Sequence, residues 1–251
     1  MGFLYCYAPV KLMKDGDHMS HEVNIHEAQT KILRELLFHP EAGFAELQKP
    51  TSLDSDHFKF HIGRLVELGY VEKTESGKYT LTIRGKEHSN KLDTDTHTME
   101  KQPKLSVGLI VENEDGKFLT QQRLKQPYFG YWGRPTGKLK WGETFVEGAA
   151  RELMEETGLT ADLKVAGFYH KMDYTTDGDM LEDKLFCIVY GTNPKGTLIV
   201  DDEGHHNEWM SLEELSTKDK VFQSVPAITR LAKGEADAFM EKKYFYDPSD
   251  Y

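Results

Sequence analysis

The spacing of apolar residues divides the chain into two textures. From residue 24 to 91 they recur at helical intervals. Ile25, Ile32, Leu33, Leu36 and Leu37 predict a helix that His39-Pro40 stops. A short helix follows around Phe44–Gln48. Thr51-Ser52-Leu53-Asp54 is a polar helix start, after which Phe58, Ile62, Leu65, Val66 and Leu68 mark another apolar face, ended by Gly69. Tyr70–Lys73 and Lys78–Leu81 flank Ser76-Gly77 and predict a β-hairpin, with a last helix beginning near Thr82. Residues 92–103 lack apolar periodicity, include Pro103 and read as a linker.

From Leu105 the pattern becomes α/β. Strands are predicted at Leu105–Val111 and Phe118–Gln121 across the Asp115-Gly116 turn, then near 163–172, 184–191, 197–200 and 207–210. Residues 125–136 form an aromatic and Gly/Pro-rich loop, and a helix is expected from Ala227 to about Lys233. Between them Thr144 and Glu147 have capping-box spacing and Gly158 suits a helix stop, so a helix is predicted over 144–157. Val146, Ala149, Ala150 and Leu153 make its expected core stripe. Glu152, Glu155 and Glu156 share a second face, since i, i+3 and i+4 project together.

Composition narrows the function classes. Over 251 residues, 38% are hydrophobic and 29% charged, and no run reaches the roughly 18 apolar residues of a membrane span, so no membrane partner is expected. A net charge of −11 excludes indiscriminate coating of nucleic acid or anionic lipid. Cys6 and Cys187 give no disulfide framework, and a free, buried Cys187 fits a reducing cytoplasm. Residues 1–20 are expected to be a disordered tail, with Met1 and Met19 both open as starts.

The acidic triad carries the chemistry. Three carboxylates on one turn near a helix C-terminus repel one another and meet an unfavourable macrodipole. A hard dication reverses that sign, and Mg²⁺ accepts two or three carboxylates together with substrate phosphate. Arg151 can pair with Glu143 or a neighbouring carboxylate and fix it. Taken alone, ExxEE is more often a solvated acidic face. Its setting, GKLKWGETFVEGAARELMEETGL from Gly137 to Leu159, resembles the Nudix box, G-x5-E-x7-R-E-U-x-E-E-x-G-U, at every defined position. The looser resemblance covers about residues 104–240 and implies a Nudix α/β/α sandwich.

The resemblance implies a pyrophosphohydrolase acting on a nucleoside diphosphate linked to another moiety, with Mg²⁺ or Mn²⁺ as cofactor. Glu152 and Glu156 would be the main metal ligands, Glu155 a third ligand or a contact to metal-bound water, the Gly137 carbonyl part of the shell, and Glu143 the partner of Arg151. Arg134 and Lys138 are candidates for phosphate contact. Glu203, in the acidic loop 201–206, is the candidate general base. Many members carry Pro-Gly-Gly before the box where this chain has Arg134-Pro135-Thr136-Gly137, which implies a different local pocket. Tyr174 falls near the tyrosine of the dinucleoside-polyphosphate subgroup and is a candidate for base stacking. Thr175 stands where the ADP-ribose subgroup carries proline.

Residues 21–91 resemble a winged helix-turn-helix domain, particularly at Leu68-Gly69-Tyr70-Val71 and Leu81–Gly85. That likeness implies DNA as a partner, with Lys59 and Arg64 facing a groove. The charge balance of 10 Lys and Arg against 11 Asp and Glu in this stretch lacks the usual basic footprint, so protein contact stays open. The alternative to an enzyme is a transcriptional regulator that senses a nucleotide through its Nudix domain, although known regulators of that kind often have the opposite domain order and degraded boxes. Residues 241–251 read as an aromatic tail that docks on the domain or on a second copy, leaving a homodimer open.

Overall fold

The computed structural model describes residues 25–92 and 101–251; the expected N-terminal tail and most of the expected linker lie outside them. The chain divides into two compact units, residues 1–101 and 102–251.

In the first unit, α1 (Glu27–Phe38), α2 (Phe44–Gln48) and α3 (Ser55–Glu67) precede a hairpin of β1 (Val71–Lys73) and β2 (Tyr79–Leu81), and α4 (Ile83–Ser89) closes it. The Asp54 carboxylate accepts from the backbone N–H groups of Asp56 and His57, which fixes the start of α3. Ile32, Leu33, Leu47, Phe58 and Leu65 are fully buried in one core. Val66, expected in that core, is 41% exposed, because it lies one position round the helix from the Ile62–Leu65 stripe.

The second unit holds two sheets. Its strands are β3 (Lys104–Val111), β4 (Phe118–Arg123), β5 (Trp132–Gly133), β6 (Thr136–Lys138), β7 (Leu159–Thr175), β8 (Met180–Gly196), β9 (His205–Met210) and β10 (Phe239–Tyr246). Its helices are α5 (Phe145–Thr157), α6 (Leu212–Ser216) and α7 (Val225–Ala232). The larger sheet runs β10-β7-β8-β3-β6 and the smaller β5-β4-β9. Alternation along β3 sends Val107, Leu109 and Val111 to a core with Ala149 and Leu153 of α5. Ile110 instead packs with Ile228 and Leu231 of α7. One helix therefore covers each face, giving the α/β/α sandwich that the resemblance implies.

Several sequence expectations shift. Residues 197–200 form no strand, and β7 and β8 are single strands of 17 residues each. The core face of α5 contains Gly148, Ala149 and Leu153, whereas Val146 and Ala150 are exposed; Phe145 supplies the aromatic contact, edge-on to Phe168 at 5.6 Å. The segment expected as a tail from 241 belongs to the sheet, since β10 pairs in parallel with β7 from Phe168 to Thr175. Its alternation of Tyr244 and Tyr246 inward with Lys243 and Phe245 outward is a strand pattern that the aromatic composition concealed.

The parallel docking of β10 depends on Gly167. A Cβ there would lie 2.2 Å from the Ala238 carbonyl oxygen. Gly167→Ala is expected to loosen β10 and to lower stability by about 1–3 kcal/mol, as overpacking does. Thermal unfolding measures the loss, and faster proteolysis within 239–246 locates it; an unchanged midpoint with an intact C-terminal segment would contradict the assignment.

Candidate active site

The expected capping box forms: the Thr144 hydroxyl accepts from the Glu147 N–H at 3.3 Å, and the Glu147 carboxylate accepts from the Thr144 N–H at 2.9 Å. Gly158 ends α5 at φ 69°. Between these stops Glu152 and Glu156 reach a cleft of about 500 Å³. Gly137 makes room for this, because a Cβ on it would sit 1.9 Å from the Glu152 Cδ. The glycine that opens the box is thus required by contact with a carboxylate of the same box.

Arg151 organises the acidic group. Its Nε donates to Glu143 at 2.5 Å and Nη2 to the same carboxylate at 2.8 Å. Nη1 donates to Glu152 at 2.7 Å and to Glu155 at 3.0 Å, and Nη2 also reaches the Lys138 carbonyl at 3.0 Å. The bidentate pair with Arg151, helped by the Lys140 N–H, holds the Glu143 carboxyl down at about 2. Burial, followed by the nearby charge of Glu152, raises Glu156 above the usual carboxylate range, against a Gln121 hydrogen bond that lowers it.

A second set of residues, not singled out in the sequence, seats Glu156. Gln121 Nε2 donates to Glu156 Oε2 at 3.1 Å and also contacts Asn207 Oδ1 at 3.2 Å. Asn207 Nδ2 donates to the backbone carbonyls of Glu156 and Ile199, both at 2.9 Å. This ties the last turn of α5 to β4 and β9. Buried His205 lies 3.8 Å from Glu156 Oε1, while His206 turns to Asp201 at 2.6 Å. The available signal was Thr120-Gln121-Gln122, a polar run in a strand whose first half is apolar; Gln121 is buried.

The structure separates the other candidates. Lys138 lines the cleft beside Gly137. Arg134 lines it as well, but as a buried side chain donating to the Leu119 carbonyl and to the Thr120 and Thr229 hydroxyls. Glu155 is half exposed and held by Arg151, so it does not converge with Glu152 and Glu156. Among the described residues no three His, Cys, Asp or Glu side chains gather into a metal-holding group. Glu203 is exposed in the loop before β9 and does not line the cleft; the turn closed by Asp202 accepting from the Gly204 N–H at 2.7 Å accounts for that loop's local structure. Tyr174 stacks on Phe245 at 5.7 Å and is absent from the cleft lining, because Lys171 and Asp173 take the inward positions of β7. In the first unit Lys59 and Arg64 are both exposed on α3, with Arg64 paired to Glu67 at 3.1 Å.

The chain is similar to known proteins. The NUDIX domain family model matches residues 102–231. An ADP-ribose pyrophosphatase of Methanocaldococcus jannaschii is 31% identical over 146 residues, which cover 56% of this chain and 83% of that protein. An RNA pyrophosphohydrolase of Erythrobacter litoralis is 38% identical over 77 residues, covering 31% of this chain and 46% of that protein. The crystal structure of a MutT NUDIX hydrolase from Burkholderia pseudomallei superposes with a TM-score of 0.45 at 22% identity, covering 52% of this chain and 98% of that one. The chain belongs to the NUDIX family, and it is a hydrolase of phosphoric anhydride bonds. No helix among its described residues is long and apolar enough to cross a membrane.

The Arg151 clamp makes a titration prediction. The folded pKa of Glu143 lies below the unfolded value of about 4.3, so the clamp's contribution is fully present above that value and is lost as pH falls toward about 2. In Arg151→Met the Glu143 carboxyl, followed by NMR, is expected to move up toward its ordinary value, with added sensitivity to acid over that window. A Glu143 that still titrates near 2 would remove the clamp as the cause.

Proposed function

We propose that this chain is a Mg²⁺-dependent pyrophosphohydrolase, able to use Mn²⁺, that cleaves a nucleoside diphosphate linked to another moiety. The observation that carries this reading is the pair Glu152 and Glu156, set against Gly137 in a cleft whose other charged lining residues are, apart from Glu182, all Lys or Arg. The donor set fits a hard dication. Two partly buried carboxylates repel each other, burial disfavours the charge on Glu156, and the Gly137 carbonyl is an oxygen ligand of the right kind. Two carboxylates suffice where substrate phosphate and water complete the shell, so the outward position of Glu155 is compatible with a contact through water. The bound cation would lower the pKa of a coordinated water and neutralise charge developing on the phosphate oxygens.

The chain's own residues do the rest. Arg151 fixes one oxygen of Glu152, bonds to Glu155 and keeps Glu143 ionised beside it. Gln121 and Asn207 orient Glu156 and anchor the helix end that carries it. Lys138, next to Gly137, is placed to meet a phosphate oxygen. Glu203, exposed in the loop before β9, and Glu155, exposed at the edge of the site and held by Arg151, are the two candidate bases.

Glu156→Gln is expected to cut turnover of a nucleoside-diphosphate-linked substrate by at least about a hundredfold and to weaken Mg²⁺ binding measured by calorimetry, with the melting temperature held or raised. Retained turnover would remove Glu156 from the metal site. Glu155→Gln should lower kcat with little change in metal affinity.

For the N-terminal unit we propose a winged-helix regulatory module that presents Lys59 and Arg64 of α3 to DNA. Binding to duplex DNA should weaken with salt and fall several-fold in Lys59→Ala. Absence of binding at low salt would assign the module to protein contact.

A further inference from the structure

The cleft carries more positive charge than a diphosphate at the glutamate end uses. Seven Lys and Arg side chains line it against three glutamates, in a chain of net charge −11. Four of these cations come from four adjacent strands. In the sheet register Lys104 of β3 stands opposite Lys184 of β8, and Lys184 stands opposite Lys171 of β7. Lys138 of β6 pairs with Ser106, which makes it the diagonal neighbour of Lys104, about 7–8 Å away. All four line the cleft.

Like charges directly across a sheet destabilise it, and partial compensation is visible. Lys171 pairs with Asp173 and Lys184 with Glu182, each along its own strand. Asp173 and Glu182 are themselves cross-strand partners, so like faces like in both rungs. The alternation that would offset charge across the strands is missing, and the four lysine positions form one continuous row across the sheet. Lys104 and Lys138, at its outer end, have no ion pair among the described residues. Arg134, elsewhere on the wall, is also a buried cation without a carboxylate partner: it is 5% exposed, its Nε has no hydrogen-bond partner, and burial pulls its pKa down to about 10.

Strands lie about 4.8 Å apart, so the line from β6 to β7 extends roughly 14 Å from the strand of Gly137. A single diphosphate held at Glu152 and Glu156 does not span that distance. We propose that Lys138, Lys104, Lys184 and Lys171 form a track for an additional phosphate, beyond the diphosphate that is cleaved, so that the preferred substrates carry phosphate at more than one place. The proposal rests on the hydrolytic reading of the glutamate end and adds the class of substrate. Two forms share this chemistry, a longer linear polyphosphate and a phosphate monoester on the distal moiety.

The test separates the track from the chemistry. Binding of inorganic tripolyphosphate and orthophosphate to the full chain is measured by calorimetry in EDTA, for the unmodified protein, Lys104→Met, Lys184→Met and Glu156→Gln. Tripolyphosphate is expected to bind at least tenfold more tightly than orthophosphate, and to lose about tenfold in either lysine variant, with no loss in Glu156→Gln, which removes a negative charge from the same cleft. Equal affinities in Lys104→Met, an exposed site where folding is not at risk, would overturn the track. With Mg²⁺ present, kcat/KM is then compared for matched substrates with and without the extra phosphate. The lysine variants should lower it for the phosphorylated member alone, and the better member, polyphosphate or monoester, identifies the form. Loss of both members equally would also overturn the proposal. Absence of all turnover alongside lysine-dependent tripolyphosphate binding would instead reject the hydrolytic reading and keep the anion track.

Discussion

The contact between Gly137 and Glu152 is the constraint on which the rest of the site depends. A backbone without a side chain lets a helix carboxylate lie against the edge strand of a sheet. Everything else at that end holds the carboxylate in the space so created. Arg151 takes one oxygen of Glu152 and ties down Glu143 and Glu155; its own position is set by the carbonyl of Lys138, one residue beyond the glycine. The loop before α5 and the third turn of the helix are therefore a single electrostatic unit, closed at both ends by the same guanidinium. Such a unit is rigid before any ligand arrives, which suits a site whose task is positioning.

A second network performs the same task from the other side and is made of neutral groups. Gln121 and Asn207 are buried, each bonds more than one partner, and together they fix both the side chain and the main chain of Glu156. A neutral clamp suits this position. A second arginine would compete with a cation for the carboxylate, whereas amide groups orient it and leave its charge unspent.

The legible part of the sequence was local. Spacing in Gly137–Leu159 predicted the helix, its cap, its stop and the shared face of Glu152, Glu155 and Glu156, because capping and i, i+3, i+4 relations act within a few residues; the Glu143–Arg151 pair, eight residues apart, came from the resemblance. Prediction failed where the answer lay across strands. Tyr174 and Lys171 differ by three positions, and only the register of β7 tells which faces the cleft. Arg134 was a candidate for phosphate contact, and no local rule shows that the fold buries it against the Phe118 ring at 4.7 Å. Gln121 and Asn207 are 86 residues apart, and no local rule brings them together. Glu203 came from the resemblance and its place in the acidic loop 201–206, neither of which fixes where its side chain lies.

The placement of β10 has a consequence for how the molecule is made. This strand follows every other strand of its sheet in the sequence, and its Tyr244 and Tyr246 rings enclose the Lys171 ammonium from one side. On a ribosome the glutamate helix, its clamp and the central strands are synthesised well before these rings exist. The nascent domain thus has a period in which one wall is incomplete, with Lys171 and Asp173 open to water and the edge of β7 unpaired. Addition of the parallel strand both seals that edge and dehydrates the ion pair, joining completion of the binding cleft to completion of the fold.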